Sequence, residues 1–237
     1  MNKALLYSRL VMMGLIASAL LATLTDTSGR VPSSFLEIAT YFTFQANVIA
    51  MATWGALVFY AVQRQRRGDA SPRWLEYARA FTAANLVAIG AIYWIAIAPL
   101  GLQDGPQLIY VMVVSHLVTP LYAAVEHMLV GSRTPLPWRH VWWLTTYATV
   151  WVCIAVLRSL LGGTAVYDYL DTALGFTAIV TGLAWNYAIL FGASMGAMRI
   201  RRWRRWSETG TRLTPRQGVS TPPLDEGTRL SAPTLHR

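Results

Sequence analysis

The chain contains little of what soluble enzymes use to build their sites. Of its 237 residues only 13% are charged, only 11 are Asp or Glu, and a single residue, Cys153, is cysteine. One cysteine excludes intrachain disulfides and a cysteine-based metal site. P-loop, G-x-S-x-G, H-E-x-x-H and G-x-G-x-x-G patterns are absent, so nucleotide binding and the common hydrolase and zinc-protease motifs have no support. Nor are there the inverted repeats that are typical of many transporters.

Hydrophobic residues, by contrast, make up 54% of the chain, and the mean hydropathy is +0.39. We therefore predict an all-α, polytopic membrane protein whose domain covers residues 1–206. Six transmembrane helices are expected at about 5–24, 40–62, 80–101, 108–130, 141–161 and 172–198. Residues 207–237 lack apolar periodicity and are rich in Pro, Thr, Arg and Gly, which predicts a disordered basic cytoplasmic tail. The first span also fits a signal peptide, because Lys3 and Arg9 precede its apolar run, but we favour a retained helix.

The net charge of +9 is explained by topology rather than by nucleic-acid binding. The second and fourth loops and the tail hold most of the arginines: Arg64, Arg66, Arg67, Arg73, Arg79, Arg133, Arg139, Arg199, Arg201, Arg202, Arg204 and Arg205. The remaining loops hold five acids: Asp26, Glu37, Asp104, Asp168 and Asp171. The positive-inside rule then places both termini in the cytoplasm. The arginines that follow the last span, with Trp203 and Trp206, are expected to contact anionic lipid headgroups.

The segment 39–47, at the outer end of the second span, carries a hydroxyl and two amides into an apolar helix. Counting about 1.5 Å per residue, Thr43, Asn47, His116 and Arg158 lie roughly 5 to 12 Å inside the outer edge, and they could share one outward-facing pocket. A threonine hydroxyl is a weak nucleophile that needs an adjacent base, and a neutral imidazole is the usual partner. The chemistry that this pair implies is acyl transfer or ester hydrolysis at the membrane interface.

Structural alternatives stay open for each of these residues. The Thr43 hydroxyl could bond back to the carbonyl of Ala39, as threonines in membrane helices often do. His116 could make only a structural hydrogen bond between helices. Arg158 could snorkel or pair with Asp168 or Asp171.

Two further features concern the fourth span. Pro120 has no N–H to donate to the carbonyl of His116, so the helix should kink and leave that carbonyl free. Near the inner end of the spans lies a second group of polar residues: Asn85, Glu126, His127 and Asn186. A proton path or metal site is conceivable there, but we favour interfacial snorkelling of Glu126 and His127.

At these residues the chain resembles the family of androgen-induced and androgen-dependent TFPI-regulating proteins and its bacterial six-helix relatives. Tyr41-Phe42-Thr43-Phe44 is similar to the aromatic-x-Thr segment at the start of the family's second helix, and Gln45 with Asn47 resembles the bacterial version. His116 followed by Pro120 is similar to the histidine block of the fourth helix, although the two-histidine run of the animal proteins is missing. Arg158 with Tyr167, Tyr169 and Asp171 resembles a further block of the bacterial members. The resemblance covers roughly residues 5–198.

The animal members of that family are threonine hydrolases that cleave fatty-acid esters of hydroxy fatty acids. The resemblance therefore implies Thr43 as the nucleophile and His116 as the base. It also implies a multi-pass protein of a bacterial inner (plasma) membrane.

We accordingly expect an intramembrane hydrolase of lipid esters, without cofactor or metal, whose site lies near the outer leaflet. Its substrate-binding residues are expected to be Gln45, Asn47, Tyr93, Arg158 and Asp171, with Arg158 suited to a carboxylate on the substrate. The alternative is a non-enzymatic bundle that binds lipid, assists a partner membrane protein or moves a small solute.

Overall fold

The structure is a computed structural model that describes residues 3–67, 72–100, 108–130 and 136–212. Within these residues it is helical and contains no strand. Its α-helices are α1 (Lys3–Leu24), α2 (Phe35–Ile38), α3 (Phe42–Arg67), α4 (Trp74–Ile92), α5 (Ile109–Val113), α6 (Thr119–Val130), α7 (Val141–Leu160) and α8 (Phe176–Arg212). Asp104, Arg133 and residues 213–237 of the predicted tail lie outside the described part of the chain.

Six helices are long and apolar enough to cross a membrane: Lys3–Leu24, Phe42–Arg66, Trp74–Ile95, Ile109–Val130, Trp138–Leu160 and Phe176–Ile200. The prediction of an all-helical chain with six such segments is therefore confirmed. Most boundaries differ from the sequence-based ones by a few residues, and two of these differences bear on the packing of the bundle. The third span begins at Trp74 because Glu76 and Arg79 are incorporated into α4, and α8 continues to Arg212, past the predicted end of the domain.

α4 is the central helix of the bundle. It packs against α3, α6, α7 and α8, and its buried face includes Ala80, Ala83, Ala84 and Ala88. Alanines let neighbouring helix axes approach closely, which is how helices associate where no water drives apolar surfaces together. α1 belongs to the same bundle, because its Met12 and Ile16 share a core with α3. α4 and α6 are neighbours, as the short predicted loop between them requires.

A buried ion pair connects α1 to α6. Arg9 donates from Nε and Nη2 to Oε1 of Glu126 at 2.8 and 2.5 Å. The indole N–H of Trp54 donates to Oε2 of Glu126 at 2.6 Å, and Arg79 Nε lies 3.9 Å from Oε1. Glu126 is only 4% exposed. The carboxylate thus has partners from three other helices, which balances the cost of removing it from water.

The snorkelling interpretation is therefore wrong for both Glu126 and His127. His127 is also buried, and its Nε2 lies 2.9 Å from the carbonyl oxygen of Ala197 in α8. Arg9 is likewise buried, as is Arg79, which the sequence placed in a loop. All four side chains face the bundle interior rather than the ends of the helices.

Replacing Glu126 with Leu should destabilise the protein strongly, because Arg9 would remain buried without its carboxylate. Breaking one side of a buried pair costs about 3–5 kcal/mol. The free energy or midpoint of unfolding in detergent measures the loss. The double variant Arg9→Met/Glu126→Leu should recover part of it, and Glu37→Leu, at an exposed acid, should change little. A Glu126→Leu protein as stable as the wild type would contradict the structural role of the pair.

Candidate active site

A cavity of about 630 Å³ is lined by residues of α1, α3, α4, α5, α7 and α8, of the segment between α5 and α6, and of the connections from α1 to α3 and from α7 to α8. Its walls are mostly aliphatic and aromatic side chains. The polar groups that its lining contains include Arg30, Thr43, His116, Tyr93, Tyr167 and Asn186. Mostly apolar cavities with a few convergent polar groups are typical of sites that bind small molecules or lipid chains.

Thr43 is the second residue of α3, and its neighbours free its hydroxyl for the cavity. Nε2 of Gln45 donates to the carbonyl of Ala39 at 2.7 Å, and Nδ2 of Asn47 donates to the carbonyl of Thr43 at 2.8 Å. The two partners of the Thr43 hydroxyl lie on other segments of the chain, in His116 and Tyr167. The alternative in which Thr43 bonds to Ala39 is thus wrong.

His116 lies in a π-helical segment, Val114–Val118, that joins α5 to α6. The segment ends directly before Thr119 and Pro120, the first two residues of α6. The indole N–H of Trp94 donates to the His116 carbonyl at 3.0 Å. The sequence predicted that Pro120 leaves this carbonyl free of its helical donor, and the π segment and the indole are how the fold accommodates it. The ring of Tyr93 stacks on the imidazole with centroids 4.1 Å apart.

The imidazole is held with a defined tautomer. Its Nδ1 lies 3.2 Å from the carbonyl oxygen of Met112, and since a carbonyl can only accept, Nδ1 carries the proton. Nε2 is then unprotonated in the neutral ring, and it lies 3.4 Å from Oγ1 of Thr43. The hydroxyl therefore donates to Nε2, which is the arrangement a general base requires. The distance is longer than a tight hydrogen bond, as contacts of this kind often are before substrate binds.

Tyr167 is a site residue that reasoning from the sequence missed. Its phenol oxygen lies 3.5 Å from Oγ1 of Thr43. The ring is packed among Tyr41, Trp151 and Tyr169, with centroid distances of 5.6, 5.8 and 5.4 Å. Burial raises the pKa of Tyr167, so the phenol remains protonated at neutral pH. The sequence offered two signals, the density of aromatic residues around 167–169 and the block of the family resemblance that includes Tyr167, but neither assigned it a role.

Of the five predicted substrate-binding residues, Tyr93 lines the cavity, and the other four do not belong to its lining. Gln45 and Asn47 organise the first turns of α3, and Gln45 Oε1 also accepts from the Tyr147 hydroxyl. Asp171 accepts from the backbone N–H of Ala173 at 2.9 Å and so begins a short 3₁₀ turn. These residues form hydrogen bonds that hold the backbone near the site, and their side chains do not line the cavity.

Arg158 also lies outside the lining. Its guanidinium donates to Oγ1 of Thr40 at 3.4 Å and to Oγ1 of Thr164 at 2.9 Å. The alternative of a pair with Asp171 is wrong for this arrangement, whereas snorkelling and a pair with Asp168 stay predictions. The cation that lines the cavity is Arg30, from the segment between α1 and α2.

Asn186 does not lie where the sequence predicts it. It was grouped with the inner residues Asn85, Glu126 and His127, but it lines the cavity. Its Nδ2 donates to the carbonyl of Gly182 at 2.8 Å, while its Oδ1 has no hydrogen-bond partner among the residues that the structure describes. Oδ1 is thus an acceptor that a bound molecule could use.

Within the described ranges, no group of three or more His, Cys, Asp or Glu side chains is placed to hold a metal ion. Comparison of the chain with protein-family models, with curated proteins and with solved structures gives no match. The chemistry of the site therefore has to be argued from its own geometry.

Gly90 lets α4 pass the kinked segment that carries His116. A Cβ atom at position 90 would lie 2.9 Å from the His116 carbonyl oxygen and 3.0 Å from Cβ of Pro120. We expect Gly90→Ala to cost about 1–3 kcal/mol, as overpacking does, and to lower the unfolding midpoint in detergent. The matched control is Gly192→Ala in α8, where nothing lies within 4 Å and Ala should be neutral or stabilising. Equal stability of the two variants would refute the close contact.

Proposed function

We propose that this protein is a membrane-embedded hydrolase of lipid carboxylic esters, with Thr43 as nucleophile and His116 as general base. The observation that carries the proposal is the contact between Thr43 Oγ1 and the unprotonated Nε2 of His116, which opens into an apolar cavity. The resemblance to threonine hydrolases of fatty-acid esters points to the same two residues.

The proposed reaction follows from the two groups. Thr43 Oγ forms a bond to the ester carbonyl carbon while its proton moves to His116 Nε2. When the tetrahedral intermediate collapses, the bond to the leaving alcohol breaks, and the alcohol takes the proton from Nε2. A water molecule then attacks the acyl-threonine, gives a proton to Nε2, and releases the carboxylic acid as the proton returns to Thr43.

Each partner of His116 has a task in this scheme. The Met112 carbonyl fixes the tautomer and would stabilise the imidazolium that forms, in the way that an acceptor on the second ring nitrogen does in other hydrolases. The stacked ring of Tyr93 restricts rotation of the imidazole. Because these interactions exist before substrate binds, little reorganisation is needed during the reaction.

The proposed substrate is a long-chain ester, because the aliphatic and aromatic walls of the cavity suit an acyl chain. The resemblance implies an ester that also carries a free carboxylate. Arg30 is the cation that we assign to such a carboxylate, in place of Arg158, since a guanidinium pairs with a carboxylate through two parallel hydrogen bonds.

We further propose that the protein lies in the plasma membrane of a bacterium with both termini in the cytoplasm, so that the cavity faces the outer leaflet. The distribution of arginine in the sequence supports this orientation. The basic residues 199–205 would then contact anionic headgroups of the inner leaflet.

Thr43→Ala and His116→Ala should each abolish ester hydrolysis, because the first removes the attacking oxygen and the second removes its base. The measurement is turnover of a panel of acyl esters and branched fatty-acid esters by purified protein in detergent. General-base assistance contributes about 10²–10⁴-fold, so the loss should be at least of that order.

Two matched controls accompany these variants. Thr146 is exposed and bonds only within α7, and His140 pairs with Tyr77 away from the cavity, so Thr146→Ala and His140→Ala should retain turnover. Equal turnover by wild type, Thr43→Ala and His116→Ala would refute the nucleophile. If the wild type hydrolyses no ester but still binds fatty acid, the non-enzymatic, lipid-binding function would be favoured instead.

Arg30→Gln should raise KM about tenfold for esters that carry a free carboxylate, because a charge-assisted hydrogen bond contributes about 1.5 kcal/mol or more. The KM for the corresponding methyl-capped, neutral esters should stay the same. Arg158→Gln is the control, since Arg158 lies outside the lining. A larger rise in KM with Arg158→Gln than with Arg30→Gln would show that Arg158, and not Arg30, binds the carboxylate of the substrate.

A further inference from the structure

The phenol oxygen of Tyr167 lies next to the attacking atom of the proposed reaction, Oγ1 of Thr43. Thr43 Oγ1 has two neighbours, with Nε2 of His116 at 3.4 Å and the phenol oxygen of Tyr167 at 3.5 Å. A hydroxyl has one proton to donate and two lone pairs that accept. Since the unprotonated Nε2 takes the proton of Thr43, the phenol must donate its own proton to Thr43 Oγ1.

Resting on the proposed function, we propose that Tyr167 is a third catalytic residue, the neutral hydrogen-bond donor that stabilises the oxyanion formed when Thr43 attacks the ester. In the free protein its proton points at Thr43 Oγ1. Once Oγ1 bonds to the carbonyl carbon, the oxygen with the developing negative charge is attached to that same carbon, next to Oγ1. The phenol then donates to that oxygen with only a small change of direction, and no proton is transferred.

The surroundings of Tyr167 suit a donor that must not move. Its ring lies parallel to Tyr169, with an interplanar angle of 9°, and meets Tyr41 edge-on at 87°. Trp151 packs against it as well, and the Trp151 indole N–H is itself fixed by a 2.8 Å hydrogen bond to the carbonyl of Thr40. Donors that are held in place before the reaction stabilise a transition state most effectively.

The electrostatic surroundings keep the donor proton on the phenol. Burial is the largest effect and raises the pKa of Tyr167, while hydrogen bonding to Thr43 and to the backbone of Thr43 and Phe42 partly opposes it. These two residues begin α3, where backbone N–H groups have no acceptor within the helix. Hydrogen bonds that a phenol oxygen accepts polarise its O–H bond and make it a stronger donor.

The other polar groups of the cavity are less suited to this task. Asn186 donates from Nδ2 to the Gly182 carbonyl, and the structure shows no contact between its amide and Thr43. The Ser115 hydroxyl and the Arg30 guanidinium line the cavity, but the structure gives neither a contact to Thr43. Tyr167 is the donor that contacts the nucleophile together with His116.

The test is Tyr167→Phe, which keeps the ring and its packing but removes the donor. The control is Tyr122→Phe, which removes a phenol that bonds Ser8 in another part of the bundle. We expect Tyr167→Phe to lower kcat about 10²–10³-fold, as the loss of one oxyanion donor does, with KM within about threefold of the wild type. Tyr122→Phe should keep wild-type kcat, and Thr43→Ala should have none.

The outcomes separate the two proposals. If Tyr167→Phe keeps kcat within about threefold while Thr43→Ala is inactive, the role of Tyr167 is refuted and the proposed function stands. If Thr43→Ala keeps wild-type turnover, or if the wild type hydrolyses no ester, the proposed function fails and the role of Tyr167 fails with it.

A second variant covers the case in which Tyr167→Phe does not fold. A fluorinated tyrosine at position 167 keeps the ring and the hydroxyl but ionises at lower pH. Only the protonated phenol can donate, so activity is present below the phenol pKa and is lost as pH rises through it. The alkaline loss of kcat should therefore occur at lower pH in this variant than in the wild type, and an unchanged alkaline limb would refute the donor role.

Discussion

A polar group inside an apolar helix bundle must find its partner within the protein, because the hydrocarbon around it offers none. This constraint accounts for several of the polar contacts between the described helices. Glu126 gathers Arg9 and the indole of Trp54 from two other helices, and so ties α1 and α3 to α6. At the other end of the bundle, the amide of Asn47 donates to the carbonyl of Thr43, and the indole N–H of Trp94 donates to the carbonyl of His116. Each polar group that finds its partner on another helix, such as Glu126, helps to fix the rotation of the helix that carries it.

The same constraint turns a proline into a feature of the site. Pro120 removes the helical donor to the His116 carbonyl, and the chain responds with a π-helical segment in which Trp94 donates instead. In that geometry Nδ1 of His116 bonds the carbonyl of Met112, and Nε2 is left unprotonated toward Thr43. Gly90 provides the space that this segment needs. The π-helical segment beside Pro120 thus carries the imidazole whose tautomer the proposed reaction uses.

The sequence predicted those features of the fold and the site that depend on neighbouring residues along the chain. The six apolar helices follow from composition and length, and the freed carbonyl of His116 follows from the position of Pro120. The depth of Thr43 and His116 also indicated that they could meet. The burial of Glu126 and Arg9 was not predicted because depth along a helix says nothing about its rotation, which is set by packing against other helices. Residues in or beside the loops were harder still to place, because these segments have no periodicity. Only the folded chain shows that Arg30 and Tyr167 reach the cavity. It also shows that Arg158 bonds to Thr40 and Thr164 instead.

The location of the reacting groups along their helices also bears on the proposed chemistry. Thr43 lies in the first turn of α3, and Tyr167 lies between α7 and α8, outside the helices that could span the membrane. His116 comes from within its span and meets them from the apolar side. An ester in this cavity would have its chain among the aliphatic walls and its carbonyl beside residues at the ends of the spans. Hydrolysis needs that placement, because the acyl-threonine can be released only by water, and water is present at the ends of membrane helices and absent from their centres.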